Sequence, residues 1–576
     1  MENKKNWWIN ILVVLVPLLL FMIWVFTKWY ITYQVHDDRY MMECLSGKFL
    51  GYSDAHLVYI KYPLAFLIQC FYKLFPSHDW YAVVMVMTQF AMIGINTYYI
   101  VRKQDGIAKK ILSQVVFYSL FLLCWLNEVT RFTYSTVAAF VGVTVIVVYV
   151  LGEDRIRDFA LLLVLCFISF NMRTDLFLMV IPICGIIWIY KMIYQKENRK
   201  KQLVFLGCLV GVIAVSIGWN HLAYSSDGWS NYVKYNKART EVFDYAYDDL
   251  IDYDQNIEMY EELGISREQC AVLKSYDLYL YDKELIELVD DIASAYQNPR
   301  SVANRIKNAI GVVVKDGLLE SKMMALVSFA FWGMAGFCII YYRDRKHAIL
   351  AAFFACVHAI LWFYLGYKDR ILPRVSHSML LMQIVTPLVC MYYVMIQNRA
   401  KEIKNNSIWR KVGYVGLIAI ILAVSAYDVK LSGKMIRRNQ SEEESMDQYI
   451  IEEYCNSHPG NFYFLDVFSV VECKYVFDFN NPNTYENFLS LGDWFSNSPI
   501  YRAKLEKEGI ESVQDAVLYG DNIYVIGLDG RDEDFINGGD LNFIKGITDK
   551  KVDIVAVDFI DGGMADYIVY QIECEE

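Results

Sequence analysis

The 576-residue sequence has none of the short motifs that mark several common classes of enzyme. It contains no GxGxxG fingerprint and no P-loop, so nothing in it supports binding of a dinucleotide or a nucleoside triphosphate. Its thirteen cysteines form no CxxC pair and no Cys/His pattern with the spacing of a zinc site. A metal site built on cysteine is therefore not predicted.

Two further absences bear on the architecture. No internal repeat or low-complexity tract is visible, which weakens the case for a secondary transporter built from inverted repeats. The first apolar run, Trp7 to Ile31, is too long and too aromatic for a signal-peptide core, and no small-residue cleavage site follows it. We expect this run to remain in the protein as a membrane span.

Hydrophobic residues make up 56% of the chain and recur in runs close to the ~20 residues that a helix needs to cross a bilayer. The sequence therefore predicts a polytopic α-helical membrane protein with about eleven spans. The predicted spans are Trp7 to Ile31, Trp80 to Val101, Ile111 to Leu126, Tyr134 to Leu151, Phe159 to Phe170, Leu176 to Ile193, Leu203 to Trp219, Met323 to Tyr342, Ala348 to Gly366, Ser376 to Ile396 and Val412 to Tyr427.

One more apolar stretch, Leu57 to Phe75, is interpreted differently. A full crossing here would move every later basic loop to the outside and reverse the charge bias of the chain. We predict a juxtamembrane helix that starts near Pro63 and lies along or dips into the outer leaflet.

Charge is divided by region. Basic residues collect in the short loops, as at Arg102, Lys103, Lys109 and Lys110, and the positive-inside rule makes these loops and the N-terminus cytoplasmic. The formal net charge is nevertheless −11, because acidic residues concentrate in two long segments, 220–321 and 428–576, which this topology places outside. This distribution argues against a nucleic-acid partner.

The chain is predicted to have two domains. Residues 1–428 form the multispanning membrane domain, with a first outer loop at 32–79 and a large outer loop at 220–321. Residues 429–576 form a soluble extracytoplasmic α/β domain, in which runs such as "NIYVIGL" and "VDIVAVDFI" are typical of strands and "MDQYIIEEYC" is typical of a helix.

The first outer loop carries two pairs of polar residues. Asp37 and Asp38 are either solvated carboxylates at the membrane boundary or a general base whose pKa is raised by burial and by its neighbour. Asp54 and His56 are either a structural loop pair or an auxiliary pair that assists the base, binds phosphate or holds a divalent ion. Two ligands are too few to predict a metal site.

Four arginines lie on the predicted outer side of the membrane. A guanidinium group offers planar, paired donors to phosphate oxygens, and the alternative for each arginine is a pair with a neighbouring acid at the interface. These residues are Arg173, Arg239, Arg370 and Arg374.

The order of these features resembles the first outer loop of GT-C type membrane glycosyltransferases. In that superfamily an acidic pair closely follows the first span, a helix with an early proline lies at the surface, and the second span comes next. The resemblance extends over most of the chain, through "RFTYSTVAAF", "SFNMRTDLFLMVIP", "YNKARTEVFDY", "KDRILPRV" and "GDWFSNSPIYRAKLEKEGI".

The resemblance implies an inverting glycosyltransferase that acts on the outer face of the cytoplasmic membrane. Its donor would be a polyprenyl-phosphate-linked sugar, and its acceptor a cell-envelope glycan, polymer or lipid. Asp38 or Asp37 would take the proton from the acceptor hydroxyl, with a slight preference for Asp38, and basic residues would offset charge on the departing phosphate. Of the four arginines, we expect one or two to touch that phosphate. Dependence on a divalent cation stays open, because the superfamily includes members of both kinds.

Two other classes of protein remain as alternatives. A transporter or flippase of lipid-linked saccharide is expected to carry charges at mid-membrane depth, whereas the charges here cluster at one surface. A non-catalytic scaffold with a binding ectodomain would not explain why three separate outer loops place charged residues on the same face. These are the loops that contain Asp37, Arg173 and Arg370.

Overall fold

The computed structural model is mainly helical over the part of the chain that it describes. The described residues are 4–250, 252–276, 284–296, 300–404, 426–427, 429–430, 447–470, 485–529, 551–562 and 565–574. The helices of the first 404 residues are α1 (Lys4–Lys28), α2 (His36–Ser46), α3 (Tyr62–Leu74), α4 (Trp80–Val101), α5 (Ile107–Thr130), α6 (Tyr134–Leu151), α7 (Ile156–Met172), α8 (Thr174–Tyr194), α9 (Arg199–Ala223), α10 (Asp227–Arg239), α11 (Tyr247–Leu250), α12 (Ile257–Glu262), α13 (Arg267–Ser275), α14 (Glu284–Ala295), α15 (Val302–Val312), α16 (Lys322–Tyr342), α17 (Arg345–Tyr367) and α18 (Pro373–Lys404).

Nine of the described helices are long and apolar enough to cross a membrane, which confirms the predicted class of a polytopic helical membrane protein. These nine are α1, α4, α5, α6, α8, α9, α16, α17 and α18. Helix α7, with 17 residues, contains the short span predicted at Phe159 to Phe170. The last predicted span, Val412 to Tyr427, lies outside the described residues except at 426–427, so the total of eleven stays a prediction.

Helix α3 occupies the stretch for which we predicted a juxtamembrane helix. Pro63 lies in its first turn, where the fixed φ of the ring suits a helix and no backbone donor is lost. Its 13 residues cover only about 20 Å, which is too short to cross a hydrocarbon core of about 30 Å. The Asp79 carboxylate then caps α4 and accepts hydrogen bonds from the hydroxyls of Tyr33 and Tyr72 at 2.6 and 3.0 Å.

Two short strands hold the end of the bundle at which α2 lies. Strand β1 (Thr32–Tyr33), which follows α1, pairs in parallel with β2 (Arg131–Phe132), which follows α5. The pairing places α2 directly beside the N-terminus of α6. Helix α2 ends at Gly47, whose left-handed φ of 90° would strain any other residue.

The predicted α/β domain near the end of the chain contains a five-stranded sheet. Its helices are α19 (Asp447–Ser457), α20 (Val467–Val470), α21 (Pro499–Lys507) and α22 (Val513–Tyr519), and its strands are β3 (Phe462–Leu465), β4 (Phe488–Ser490), β5 (Ile523–Leu528), β6 (Val552–Ile560) and β7 (Tyr567–Cys574). The sheet order is β4-β3-β5-β7-β6, with parallel pairing on both sides of β3 and antiparallel pairing on both sides of β7. The predicted domain boundary at 428/429 stays a prediction.

The C-terminal domain docks on the first outer loop. The backbone N–H of Glu486 donates to the carbonyl of Lys48 at 3.2 Å, and the ammonium of Lys507 donates to the carbonyl of Leu50 at 3.1 Å. The Tyr232 hydroxyl, in the large outer loop, donates to the carbonyl of Trp494. The sheet domain therefore packs on the same end of the bundle as α2.

Candidate functional site

Helix α2 presents both predicted carboxylates from its first turn, where the free N–H groups of a helix favour negative charge. Consecutive residues on a helix point about 100° apart, so the two side chains meet different surroundings. Asp38 is completely buried, whereas Asp37 is half-buried.

The Asp38 carboxylate joins three elements. Its Oδ1 accepts a hydrogen bond from the Tyr81 hydroxyl at 2.5 Å and another from the backbone N–H of Tyr134 at 2.9 Å. Burial raises its pKa to about 7, although the hydrogen bonds from Tyr81, Thr133 and Tyr134 act in the opposite direction. Asp38 thus fixes α2 against the N-termini of α4 and α6.

The Asp37 carboxylate has no hydrogen bond or ion pair among the described residues. Burial raises its pKa above the ordinary 3.8, and the guanidinium groups of Arg374, Arg173 and Arg239 lower it in part. Asp244 acts with burial to raise it. Of the two predicted carboxylates, Asp37 is therefore the one that is free to accept a proton from a ligand.

Arg173 and Arg374 come from loops on either side of Asp37. Arg173 joins α7 to α8, donates to the Tyr134 hydroxyl at 2.9 Å and pairs with the exposed Asp175 at 3.3 Å. Arg374 lies in the first turn of α18, and among the described residues its guanidinium has no hydrogen bond or ion pair. A half-buried cation without an acid partner is an available site for an anion.

Arg239 and Arg370 are linked through Asp244. That carboxylate lies 3.8 Å from Arg239 and 2.9 Å from Arg370, in a π-helical turn, Thr240–Tyr245, that follows α10. Such turns often occur at functional sites. The structure thus brings Arg173, Arg239 and Arg374 around Asp37, with Arg370 one step further away through Asp244.

Asp54 and His56 form a separate contact. Asp54 Oδ1 accepts from the backbone N–H of His56 and lies 2.7 Å from its Nδ1, while His56 Nε2 lies 3.1 Å from the carbonyl of Ala223. The imidazole stacks on Trp229 at 4.5 Å. Both ring nitrogens are engaged, and the pair connects the first outer loop to the large one.

Several residues near the acidic pair and its arginines were not among the predicted site residues. They are Tyr59, Tyr81, Tyr134, Asp244 and Asp493. Three of them lie in segments that carry the GT-C resemblance, "RFTYSTVAAF", "YNKARTEVFDY" and "GDWFSNSP". Those segments were therefore the available signal, but a single sequence does not say which of their side chains face Asp37.

A second group of charges lies where the C-terminal domain meets α2. The carboxylates of Glu43, Glu452 and Glu486 are buried within 4.8 Å of one another, close enough to share a cation. Three buried cations accompany them. Arg39 contacts Glu43 and lies 3.2 Å from Glu452, and Lys48 lies 3.5 Å from Glu452 and 3.7 Å from Glu486. The third, Lys504, interacts electrostatically with Glu486 and Glu43. Because buried cations already lie among these carboxylates, a divalent ion would add further positive charge to the cluster.

Comparison with known proteins gives little at the level of sequence. No family model matches the chain, and no curated protein matches it. Among solved structures, the chain is similar to ArnT from Cupriavidus metallidurans bound to undecaprenyl phosphate, at 9% sequence identity, over 98% of both chains and with a TM-score of 0.40. At this degree of similarity the match identifies neither an activity nor a substrate.

Proposed function

We propose that this protein is an inverting glycosyltransferase that takes its sugar from a polyprenyl-phosphate donor and passes it to a hydroxyl of a cell-envelope glycan, polymer or lipid. The observation that carries the proposal is the half-buried Asp37 carboxylate, which has no partner among the described residues and lies among Arg173, Arg239 and Arg374. A proton acceptor beside several fixed cations is what sugar transfer from a phosphate requires.

In the proposed reaction an acceptor hydroxyl oxygen attacks the anomeric carbon of the donor sugar. The bond between that carbon and the phosphate oxygen breaks, its electron pair stays on the phosphate, and the configuration of the carbon inverts. Asp37 accepts the hydroxyl proton, while Arg173 and Arg374 stabilise the negative charge that develops on the leaving phosphate. Asp38, held by Tyr81 and Tyr134, keeps α2 in the orientation that presents Asp37.

The membrane domain also offers a surface for an isoprenoid chain. An apolar cavity of about 290 Å³ lies between α4, α5, α6 and α18, lined by residues that include Trp125, Phe140, Val147, Leu381 and Ile384. Helices α6 and α18 both begin at the proposed site, with Tyr134 and Arg374 in their first turns. A lipid whose phosphate contacts Arg374 can therefore place its chain along the same two helices.

The direct test is sugar transfer by the purified protein in liposomes. A radiolabelled polyprenyl-phosphate sugar is supplied with envelope material as acceptor, and product formation is compared with the movement of the donor across acceptor-free vesicles. Transfer to acceptor supports the proposal. Movement of the donor without transfer would instead support a flippase. The absence of both transfer and movement would support a scaffold.

Removal of the Arg374 guanidinium is expected to weaken binding of the lipid phosphate. In Arg374→Gln one charge-assisted interaction is lost, worth about 1.5–3 kcal/mol, which corresponds to roughly a 10- to 100-fold rise in Kd for undecaprenyl phosphate. The matched control is Arg345→Gln, an exposed arginine at the start of α17, at the opposite end of the bundle. If the two variants bound undecaprenyl phosphate with equal affinity, Arg374 would not be a contact of the lipid phosphate.

The pH dependence of transfer gives a second check on Asp37. Only the ionised carboxylate accepts a proton, so the rate rises with pH through the pKa of Asp37, and burial places this rise above the ordinary 3.8. Because the Arg374 charge lowers that pKa, Arg374→Gln is expected to move the acidic limb of the pH–rate profile to higher pH. A limb that stays in place in this variant would mean that another group is titrating.

A further inference from the structure

The turn Gly492–Ser498 of the C-terminal domain lies against the proposed site. The Asp493 Oδ1 accepts hydrogen bonds from the backbone N–H groups of Phe495 and Ser496 at 2.5 and 3.0 Å, and the Ser496 Oγ accepts from the N–H of Asp493 at 2.6 Å. These bonds close the turn on itself. Asp493 and Trp494 are therefore held in fixed positions on the face that meets α2.

Aromatic rings connect this turn with Arg173 in an unbroken series. The Arg173 guanidinium lies 5.4 Å from the ring centre of Tyr59 and 5.5 Å from that of Tyr134. Tyr59 stacks on Tyr134 at 5.9 Å and contacts Trp494 at 4.6 Å. The series therefore starts at a proposed phosphate-binding cation and ends in the C-terminal domain, and its rings offer the flat apolar surface on which the C–H face of a sugar packs.

Polar atoms along this series have unused hydrogen-bonding capacity. Trp494 is only 6% exposed, and its indole N–H has no acceptor among the described residues. The Tyr59 hydroxyl likewise has no hydrogen bond to any described residue. A buried donor without an acceptor is destabilising, so a native structure that retains one usually meets it with a ligand or an ordered water.

The Asp493 carboxylate sets the chemical class of the ligand. It accepts a hydrogen bond from the Tyr40 hydroxyl and interacts electrostatically with Arg239, and a negative charge at this position repels a second phosphate. An acceptor, an N–H donor and a hydroxyl beside aromatic rings suit a neutral polyhydroxylated ring. This combination favours a saccharide over an anion or a lipid tail.

We propose that Tyr59, Asp493 and Trp494 form the subsite for the sugar ring of the donor, so that the C-terminal domain supplies two of its three side chains. The proposal rests on the proposed function. The donor sugar is favoured over a sugar of the acceptor because it is joined directly to the phosphate, and the aromatic series begins at Arg173, one of the proposed phosphate contacts.

The test compares lipids that differ only in the sugar. Dissociation constants are measured on the full-length protein in nanodiscs for undecaprenyl phosphate and for the same lipid carrying glucose, galactose, mannose or arabinose. Wild-type protein is expected to prefer at least one sugar-bearing lipid over the bare one. In Asp493→Asn and Tyr59→Phe this preference is expected to fall about 10-fold, with affinity for bare undecaprenyl phosphate unchanged.

The matched control is Asp521→Asn, an exposed aspartate of the same domain, which should leave every affinity as in the wild type. Asn at 493 keeps an oxygen for the two backbone hydrogen bonds, so the turn should stay closed. An equal loss of affinity for bare and sugar-bearing lipids would indicate a structural role and overturn the subsite. The subsite would also be overturned if the wild-type protein bound none of the four sugar-bearing lipids better than bare undecaprenyl phosphate. Wild-type protein that does not bind even the bare lipid would overturn the proposed function as well.

Discussion

Asp37→Asn is expected to lower sugar transfer by about 10²–10⁴-fold, the usual contribution of a general base. The substitution keeps the shape of the side chain and removes its ability to accept a proton. Because lipid binding depends on the arginines, the Kd for undecaprenyl phosphate should change much less than the turnover rate. Both quantities can be measured on the same preparation, by radiolabelled transfer and by equilibrium binding.

Two variants make this experiment specific. Asp227→Asn alters an exposed aspartate of the large outer loop and should retain full transfer. Asp38→Asn removes a buried anchor, so it should lower the thermal stability together with transfer, whereas Asp37→Asn should leave the stability unchanged. If Asp38→Asn abolished transfer and Asp37→Asn did not, the roles of the two aspartates would have to be exchanged.

Glu452→Gln is expected to destabilise the docking of the C-terminal domain by about 3–5 kcal/mol, the usual cost of removing one partner from a buried ion pair. Glu452 is the shared partner of Arg39 and Lys48, at 3.2 and 3.5 Å, and all three side chains are at most 7% exposed. The neutral amide leaves excess buried positive charge. The loss should be visible as a lower apparent melting temperature in detergent and as faster hydrogen exchange in α2.

The neighbouring Glu453 provides the control. It is exposed and has no ion pair among the described residues, so Glu453→Gln removes the same charge from the same helix at a site where it matters little. If the amides of α2 exchanged hydrogen at the same rate in Glu452→Gln and Glu453→Gln, the buried charges would not be what holds the domain in place.

Features set by local sequence could be predicted. Hydropathy and loop charge placed nine of the spans within described helices, and a tenth, Trp7 to Ile31, overlaps α1 and extends past its end at Lys28. The early proline, Pro63, correctly indicated a separate short helix within Leu57 to Phe75. The apolar runs from Phe462 onward became strands β3, β5, β6 and β7, while the three-residue β4 was too short to give a pattern. The capping box of α13, between Ser266 and Gln269, is local in the same sense, because both of its hydrogen bonds are made within one turn.

The arrangement of the site could be predicted only in part. The acidic pair and the arginines follow from residue type and topology, but the choice between Asp37 and Asp38 depends on how α2 is rotated against α4 and α6. That rotation buries Asp38 against Tyr81 and Tyr134 and leaves Asp37 beside the arginines, so the geometry favours Asp37, against the slight preference drawn from the sequence. Asp493 lies in a segment that carries the GT-C resemblance, but its position beside α2 could not be predicted, because it arises from contacts between distant parts of the chain.

The buried charges between α2 and the C-terminal domain also bear on biosynthesis. Arg39, Glu43 and Lys48 are made early, while Glu452 and Glu486, which complete their neutralisation, are made near the end of translation. A nascent chain can therefore insert its whole membrane domain, with α2 held through Asp38, while the charges on the side of α2 that faces the C-terminal domain are still unpaired. The charges of Arg39, Glu43 and Lys48 acquire their full set of partners only after the final segment has reached the same face and folded, so a chain that ends before Glu452 is expected to insert in the membrane with these buried charges incompletely paired.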